Sequence, residues 1–230
     1  MFTAGQLEAA IRPAGDRYAP RSRLVSVEQT TNVGGGRVWP LETMRAVLEV
    51  ARAHGLRAHL DGARLMNEVV ASGVSADEYA RAFDTAWIDF TKGLGAPVGA
   101  CLAGSAELIA EAWRYKQMLG GAMRQAGIVA AAGLYALDHH VERLATDHEH
   151  ARLLAEGLSQ LDRAEIEPGT VQTNIVIFDV HDAPALVRAL ERRGVLAGAL
   201  GAGRVRLVTH LDLDRAAIDR ALEALRAELG

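Results

Sequence analysis

The chain has 230 residues, of which 50% are hydrophobic and 23% are charged, so it is long enough to bury a substantial core. This composition excludes a disordered chain, which would be poorer in apolar residues. The formal net charge of -4, with no basic run in the sequence, gives no electrostatic basis for binding nucleic acid or an anionic membrane.

The first residues, Met1 to Glu8, have neither the cationic start nor the apolar stretch of a secretory signal. No window reaches the roughly 18 apolar residues that a membrane helix needs. We therefore expect a soluble, cytoplasmic protein whose partners are small molecules or other proteins.

From Leu24 to Ser105, short β-type runs alternate with helical stretches, which is the order of an α/β fold with a mainly parallel sheet. The predicted strands are Leu24 to Val27, Leu56 to Leu60, Thr85 to Thr91 and Gly99 to Ala103. Between the first two, apolar residues at helical spacing predict a helix that begins at Leu41 and is closed by Gly55.

The single cysteine, Cys101, lies in the fourth β-run and cannot form an intramolecular disulfide. A lone cysteine in an apolar stretch is typical of a reducing compartment. We expect it to be a small buried hydrophobic residue rather than a reactive thiol.

The rest of the chain predicts more helices and then a change of composition. Helices are expected over residues 106–118, 123–140 and 141–161, with Gly120 and Gly121 making a turn into the second. After Leu161 come a Pro-Gly turn, β-runs at 174–178 and 205–208, and a last helix capped by Asp212. This pattern predicts a large domain over residues 1–140 and a smaller α+β domain over residues 141–230.

The sequence has only two lysines, Lys92 and Lys116, although arginine is abundant. Arginine cannot form an imine or act readily as a base, so the retained lysine invites a chemical explanation. Lys92 follows the third β-run and precedes the glycine-rich stretch Gly93 to Pro97, at a strand end where open α/β sheets bind ligands. A partly desolvated amine there is suited to attack an aldehyde, and a surface lysine in a turn is the alternative.

Asp61 likewise follows a β-run and precedes Gly62. Seen alone it is typical of a helix cap. Paired with Lys92 it fits a pyridine cofactor, because a pyridinium nitrogen needs a fixed anion to stay protonated and act as an electron sink.

Other side chains are suited to anions. Thr91 offers a hydroxyl beside the lysine, and the glycine pair before Arg124 offers backbone amides and a guanidinium for phosphate, although a simple turn is the alternative. Arg64 and Arg206 are candidate clamps for a substrate carboxylate, since planar bidentate recognition favours arginine. Arg206 is the one charged residue of its β-run, Val205 to Val208.

Histidines are less informative. His59 would point to the same side of its strand as Asp61. It could approach a cofactor, but a core histidine with satisfied hydrogen bonds is the simpler interpretation. The other histidines lack the spacing of a zinc site, so we expect no metal.

Several motifs resemble, in order and spacing, those of the low-specificity L-threonine aldolases. They are Glu28 to Asn32, His59 to Asn67, Thr91 to Gly99, Met118 to Gln125, Ala130 to Leu137, Gln172 to Asn174 and Val205 to His210. The lysine followed by Gly-Leu-Gly-Ala-Pro-Val-Gly is the most specific of them.

The resemblance implies a fold-type-I, aminotransferase-like large domain that binds pyridoxal 5'-phosphate, with a small C-terminal α+β domain. It implies Lys92 as the lysine that carries the cofactor, Asp61 on the ring nitrogen and Thr91 beside the phosphate. Arg64 and Arg206 match arginines of the substrate carboxylate site. Arg124 would reach the phosphate of a neighbouring subunit in a homotetramer.

The implied activity is that of an aldehyde-lyase in amino acid metabolism, which cleaves L-threonine, L-allo-threonine or a related β-hydroxy-α-amino acid to glycine and an aldehyde. A base must remove the β-hydroxyl proton before the Cα–Cβ bond breaks. A β-eliminating lyase of the same fold, which would use the same Lys92 and Asp61, is the alternative enzyme.

The sequence also departs from the family. We expect the family's N-terminal third to be missing, with its phosphate loop, its ring-stacking histidine and a substrate-binding serine. Tyr18 stands where a second family histidine is found, Gln29 and Thr31 alter the Glu-Asn-Thr-His-Asn motif, and Gln117 replaces a common lysine. The base is therefore unassigned, and a truncated or split remnant that acts only as an oligomerising module is a third possibility.

Overall fold

A four-stranded sheet organises the N-terminal half of the chain in the computed structural model, which describes residues 1–230. Its strands, in spatial order, are β1 (Leu24–Glu28), β2 (Arg57–Gly62), β3 (Thr85–Asp89) and β4 (Ala100–Gly104). The first three are parallel, which confirms the predicted α/β class with a mainly parallel sheet.

The fourth strand runs antiparallel to β3, unlike the rest of the sheet. The connection over residues 90–99 contains no helix. A parallel return would need a crossover of roughly a dozen residues or more, usually with a helix, so this short link can only bring the chain back antiparallel.

A second sheet lies in the C-terminal half. It has three antiparallel strands in the order β5 (Ile175–Asp179), β7 (Arg204–Val208) and β6 (Gly198–Ala199). The α-helices of the whole chain are α1 (Ala4–Ala10), α2 (Leu41–Ala53), α3 (Leu65–Ser72), α4 (Ala76–Ala80), α5 (Ala106–Met118), α6 (Gly127–His139), α7 (Leu144–Leu158), α8 (Ala183–Arg192) and α9 (Arg215–Leu229). A short 3-10 helix spans Pro168–Thr170. None of these helices is both long and apolar enough to cross a bilayer.

Each sheet has its own core. In the first, α2 buries Met44 and Val47 against Val27 of β1 and Leu60 of β2. In the second, α7, α8 and α9 pack on β5 and β7, with Phe178 fully enclosed. A small third cluster, which contains Leu94, Ala96, Ala136 and Leu144, lies where the turn after β3 meets α6 and α7.

Several helix boundaries differ from the sequence predictions, and α7 spans Leu144–Leu158 rather than 141–161. Helix α6 begins at Gly127 rather than Met123, because Gln125 (φ 52°) takes a left-handed conformation that a helix cannot include. The last helix is capped by Asp214, whose side chain accepts a hydrogen bond from the Ala217 amide, and not by Asp212.

The prediction of a buried Cys101 is wrong. Cys101 is exposed, as is every other residue of β4. The reason is that side chains of a strand are buried by elements that pack on the faces of the sheet, and both faces of β4 are exposed. Helix α5, which follows it, likewise has no buried residue and exposes Trp113 and Tyr115.

Candidate active site

Lys92 lies in the turn directly after β3, as its position in the sequence suggests. Its Nζ forms an ion pair with the carboxylate of Asp89, the last residue of β3, and lies 5.4 Å from the centre of the Trp87 ring. The side chain is 37% exposed, so the amine is held by the sheet but stays open to the solvent side.

Asp89 organises this turn, although the sequence analysis did not single it out. Its Oδ1 accepts hydrogen bonds from the amide (2.8 Å) and the hydroxyl (2.6 Å) of Thr91. Burial opposes ionisation, but the hydrogen bonds from Lys92 and Thr91 outweigh burial and hold the pKa of Asp89 below its usual value. The sequence signal that could have identified Asp89 was a carboxylate three residues before Lys92.

Asp61 lies inside β2, next to the position of Trp87 in the neighbouring strand. Its Oδ1 accepts from the amide of Ala63 at 3.1 Å, while α3 begins later, after Arg64, with no side-chain cap. Asp61 is therefore not a helix cap. His59, on the same face of β2, hydrogen-bonds Thr85 Oγ1 at 2.7 Å, which accounts for it as a satisfied structural histidine.

The two arginines proposed for a carboxylate come together from distant parts of the chain. Burial lowers the pKa of the Arg64 guanidinium, and the neighbouring charge of Arg206 lowers it further. The carboxylates that oppose this effect belong to Glu28, Asp89 and Asp61. Two cations among three anions make a site that is electrostatically suited to a zwitterionic ligand such as an amino acid.

Arg206 reaches this cluster from β7. Its Nη1 donates a hydrogen bond to Oδ1 of Asn32 at 2.7 Å, and the Asn32 amide in turn donates to Oε2 of Glu28 at 2.8 Å. This chain of contacts joins the second sheet to the end of β1. It also gives Arg206 a fixed orientation.

A pocket of about 450 Å³ opens over Lys92. Its lining combines the turn after β3 with the end of β7: Arg64, Thr91, Lys92, Gly93, Gly95, Ala96, Asn174, Val208, His210, Leu211 and Asp212. A larger cavity of about 730 Å³ lies near α8 and the end of α9, but it contains no lysine and none of the residues proposed from the sequence.

Two lining residues were not among the sequence candidates. Asn174 is buried, donates from Nδ2 to the carbonyl of Thr209 at 3.0 Å, and leaves its Oδ1 buried without a partner. His210 is the only imidazole in the lining, and its Nδ1 lies 3.4 Å from Oδ2 of Asp212. The available sequence signal was that both lie in motifs of the family resemblance, Gln172 to Asn174 and Val205 to His210.

Arg124 does not join this group. It is exposed in the turn before α6 and does not line the pocket, and the helix N-terminus expected beside it lies further along the chain. The expectation that it reaches a neighbouring subunit's phosphate stays a prediction.

Comparison with known proteins gives consistent matches. The family described as beta-eliminating lyase matches residues 1–182. The low-specificity L-threonine aldolase 1 of Arabidopsis thaliana is 40% identical over 210 residues, covering 89% of this chain and 59% of that protein. The low specificity L-threonine aldolase of Escherichia coli (strain K12) is 42% identical over 207 residues, covering 89% of this chain and 60% of that protein.

Solved structures share the fold. Leishmania major threonine aldolase superposes with a TM-score of 0.80 at 18% identity, covering 100% of this chain and 68% of that one. Sphingomonas wittichii serine palmitoyltransferase gives a TM-score of 0.75 at 18% identity, covering 98% and 58%. The chain thus spans about 60% of the length of the curated relatives it matches.

Proposed function

Because this chain belongs to the β-eliminating lyase family, we propose that it is part of a pyridoxal-phosphate-dependent lyase that cleaves L-threonine, L-allo-threonine or a related β-hydroxy-α-amino acid to glycine and an aldehyde. The observation that carries this proposal is the pocket. It places Lys92, one of only two lysines, beside Arg64. The charge of Arg206 lowers the pKa of the Arg64 guanidinium and the charge of Asp61 raises it, so both lie near this residue.

The residues present fit the ring end of the cofactor. Lys92 offers an amine that opens into the pocket. Asp61 does not line this pocket, but its charge acts on the lining residue Arg64, and its Oδ2 makes no hydrogen bond and so can meet a ring nitrogen. The orphaned Oδ1 of Asn174 indicates a polar occupant, since a buried acceptor without a partner costs roughly 1–3 kcal/mol. Thr91 is the hydroxyl in the lining that would lie toward a phosphate.

Pyridoxal phosphate, when bound, supplies the electron sink that the Cα–Cβ cleavage requires. Asp89 fixes the Nζ of Lys92 at the base of the pocket, so the amine is oriented before a ligand arrives. Arg64 and Arg206 bind the substrate carboxylate, and the hydrogen bond to Asn32 holds Arg206 in place for this task.

The proton of the β-hydroxyl needs an acceptor, and we assign it to His210. It is the only imidazole in the lining, and its Nδ1 lies 3.4 Å from both the amide and the Oδ2 of Asp212. In the tautomer that donates from Nδ1 to the Asp212 carboxylate, Nε2 is free to take the proton. In this scheme Asp212 orients the ring.

The spectroscopic test uses both lysines. Added pyridoxal phosphate should give a yellow absorption band in the natural protein and in Lys116→Ala, whose side chain lies over Trp113 on α5, far along the chain from the pocket. The band should be absent in Lys92→Ala. A band that survives in Lys92→Ala, or no band at saturating cofactor, would refute the assignment.

The product test separates the two lyase reactions. The family's own description favours β-elimination as the second candidate, which would release pyruvate and ammonia from a β-substituted substrate. Formation of glycine and acetaldehyde from L-threonine supports the aldolase, whereas pyruvate and ammonia from L-serine would support the eliminating enzyme.

We further propose a cofactor-binding domain over residues 1–140 and a small domain over residues 141–230, in a cytoplasmic homotetramer. The separate sheets at residues 24–104 and 175–208 support the division. Apolar side chains exposed on α5 support association, and they are also what an oligomerising remnant would present. Sedimentation with and without cofactor measures the oligomeric state. A stable monomer would contradict both the homotetramer and the oligomerising remnant.

A further inference from the structure

The turn that presents Lys92 packs against side chains from helices α3 and α7. A Cβ added at Gly93 would lie 2.8 Å from Cδ2 of Leu144 on α7 and 3.2 Å from Oδ1 of Asn67 on α3. The next carbonyl, of Leu94, accepts a hydrogen bond from Nδ1 of His140 at 2.6 Å. The turn therefore packs against side chains of two helices, so the position of the lysine depends on both.

The two helices are themselves joined behind the turn by one polar contact. Nδ2 of Asn67, on α3, lies 3.1 Å from Nε2 of His148, on α7. Asn67 is 3% exposed and lines a small cavity with the apolar residues Leu65, Met66 and Leu94, whereas His148 is half-buried. Burying polar groups costs free energy. We therefore interpret this pair as one that specifies the geometry of the two helices.

Helix α7 is also tied to the opposite wall of the pocket. The hydroxyl of Thr209 donates to the carbonyl of Asp147, the residue before His148, at 2.6 Å. Thr209 directly follows β7, which carries Arg206, and its carbonyl holds the pocket residue Asn174. A single helical turn of α7 thus contacts the Lys92 turn on one side and the end of the Arg206 strand on the other.

We propose that Asn67 and His148 are a positioning pair, whose hydrogen bond sets the turn that presents Lys92 at a fixed position relative to the strand that presents Arg206. This inference rests on the proposed function only in taking Lys92 as the reactive amine. Neither residue lines the pocket, so both act through the turn rather than on a ligand.

The protonation state of His148 agrees with this role. Burial lowers the pKa of His148 to about 4, so the ring is neutral at physiological pH and its Nε2 can accept the hydrogen bond from the Asn67 amide. A neutral acceptor avoids an uncompensated charge beneath the lysine.

The test measures the position of Lys92 without using activity or cofactor. The chain has two lysines, so acetylation by acetic anhydride, followed by mass spectrometry, gives a Lys92-to-Lys116 labelling ratio inside each molecule. We expect His148→Ala to raise this ratio roughly fivefold, the effect of losing about one net hydrogen bond on local opening. Asn67→Ala should do the same from the α3 side.

Two variants distinguish positioning from general stability. His148→Gln keeps a hydrogen-bond acceptor near the place of Nε2 and should restore the natural ratio. His150→Ala removes a buried histidine from the same helix, two residues further on, and should leave the ratio unchanged. Should His148→Ala fail to fold, Asn67→Ala and His148→Gln still test the pair.

The outcomes that overturn the proposal are specific. An unchanged ratio in folded His148→Ala or Asn67→Ala would refute it, as would an equal change in His150→Ala. In the double variant, effects that add fully would show that the two residues act independently. Because labelling needs no cofactor, a protein without aldolase activity could still pass this test, and the two proposals can fail separately.

Discussion

Replacing Glu68 by glutamine tests the energetics of a buried carboxyl in α3. The side chain is fully enclosed, Oε1 accepts a hydrogen bond from the Ser72 hydroxyl, and Oε2 has no partner. Burial raises the pKa of Glu68 from 4.5 to about 7, although the hydrogen bond from Ser72 partly opposes the rise.

The sign of the pH dependence follows from linkage. Between pH 4.5 and pH 7 the folded protein holds a proton that the unfolded chain releases. The contribution of Glu68 to the free energy of unfolding is therefore fully present below pH 4.5 and is lost as the pH rises through 7. A difference between 4.5 and about 7 corresponds to about 3 kcal/mol.

Glutamine has nearly the same shape and no charge at any pH. Urea unfolding followed by circular dichroism should show that Glu68→Gln gains about 3 kcal/mol relative to the natural protein between pH 4.5 and pH 8. Comparing variants cancels the titration of other groups. Glu49→Gln, at an exposed position on α2, should show no such change. A Glu68→Gln difference that is independent of pH, or that falls as the pH rises, would refute the reasoning.

Three further predictions concern the turn, a helix cap and a carboxylate clamp. Gly93→Ala should destabilise the fold by about 1–3 kcal/mol in thermal unfolding, since the added Cβ meets a leucine side chain at 2.8 Å. Gly15→Ala, whose Cβ would have nothing within 4 Å, should not destabilise it, and equal stabilities of the two variants would contradict the packing argument. Asp214→Ala should cost about 1 kcal/mol in urea unfolding through loss of the α9 cap, and Asp212→Ala distinctly less; the reverse order would contradict the observed cap. Arg206→Lys should raise KM for the amino acid about tenfold or more with a smaller change in kcat, because a lysine cannot make a bidentate contact. Steady-state kinetics measure both constants, and an unchanged KM would show that Arg206 does not bind the substrate.

The sequence predicts local elements well where periodicity and end signals agree. Helix α2 begins at Leu41 as expected, and α5 has the predicted limits, 106–118. These helices are defined by their own apolar spacing or capping, so they need no knowledge of the tertiary fold.

The errors arise where a neighbour decides the outcome. Cys101 is as apolar in context as a core residue, but burial depends on what packs against β4, which the sequence of the strand does not contain. Asp212 and Asp214 are both good caps, and the choice between them depends on where the chain turns after β7.

The residues of the candidate site show the same difference between what the sequence indicates and what only the tertiary fold decides. Lys92, Asp61 and Thr91 could be proposed because strand ends are visible in the sequence, and their roles stay predictions. His148 could not, because it meets the Lys92 region only when the second half of the chain folds against the first. Residue type and spacing carry no information about such meetings.

The pocket's two walls also have a consequence for biosynthesis. The residues of the Lys92 wall leave the ribosome first, whereas the wall that includes Val208, His210 and Asp212 emerges much later. Since N-terminal parts of a chain generally fold first during synthesis, the nascent protein passes through a stage with a formed sheet and a half-built site. During that stage Leu94 and Ala96 lack the covering that α6 and α7 later provide, so a chaperone that shields apolar surface would act before the site closes.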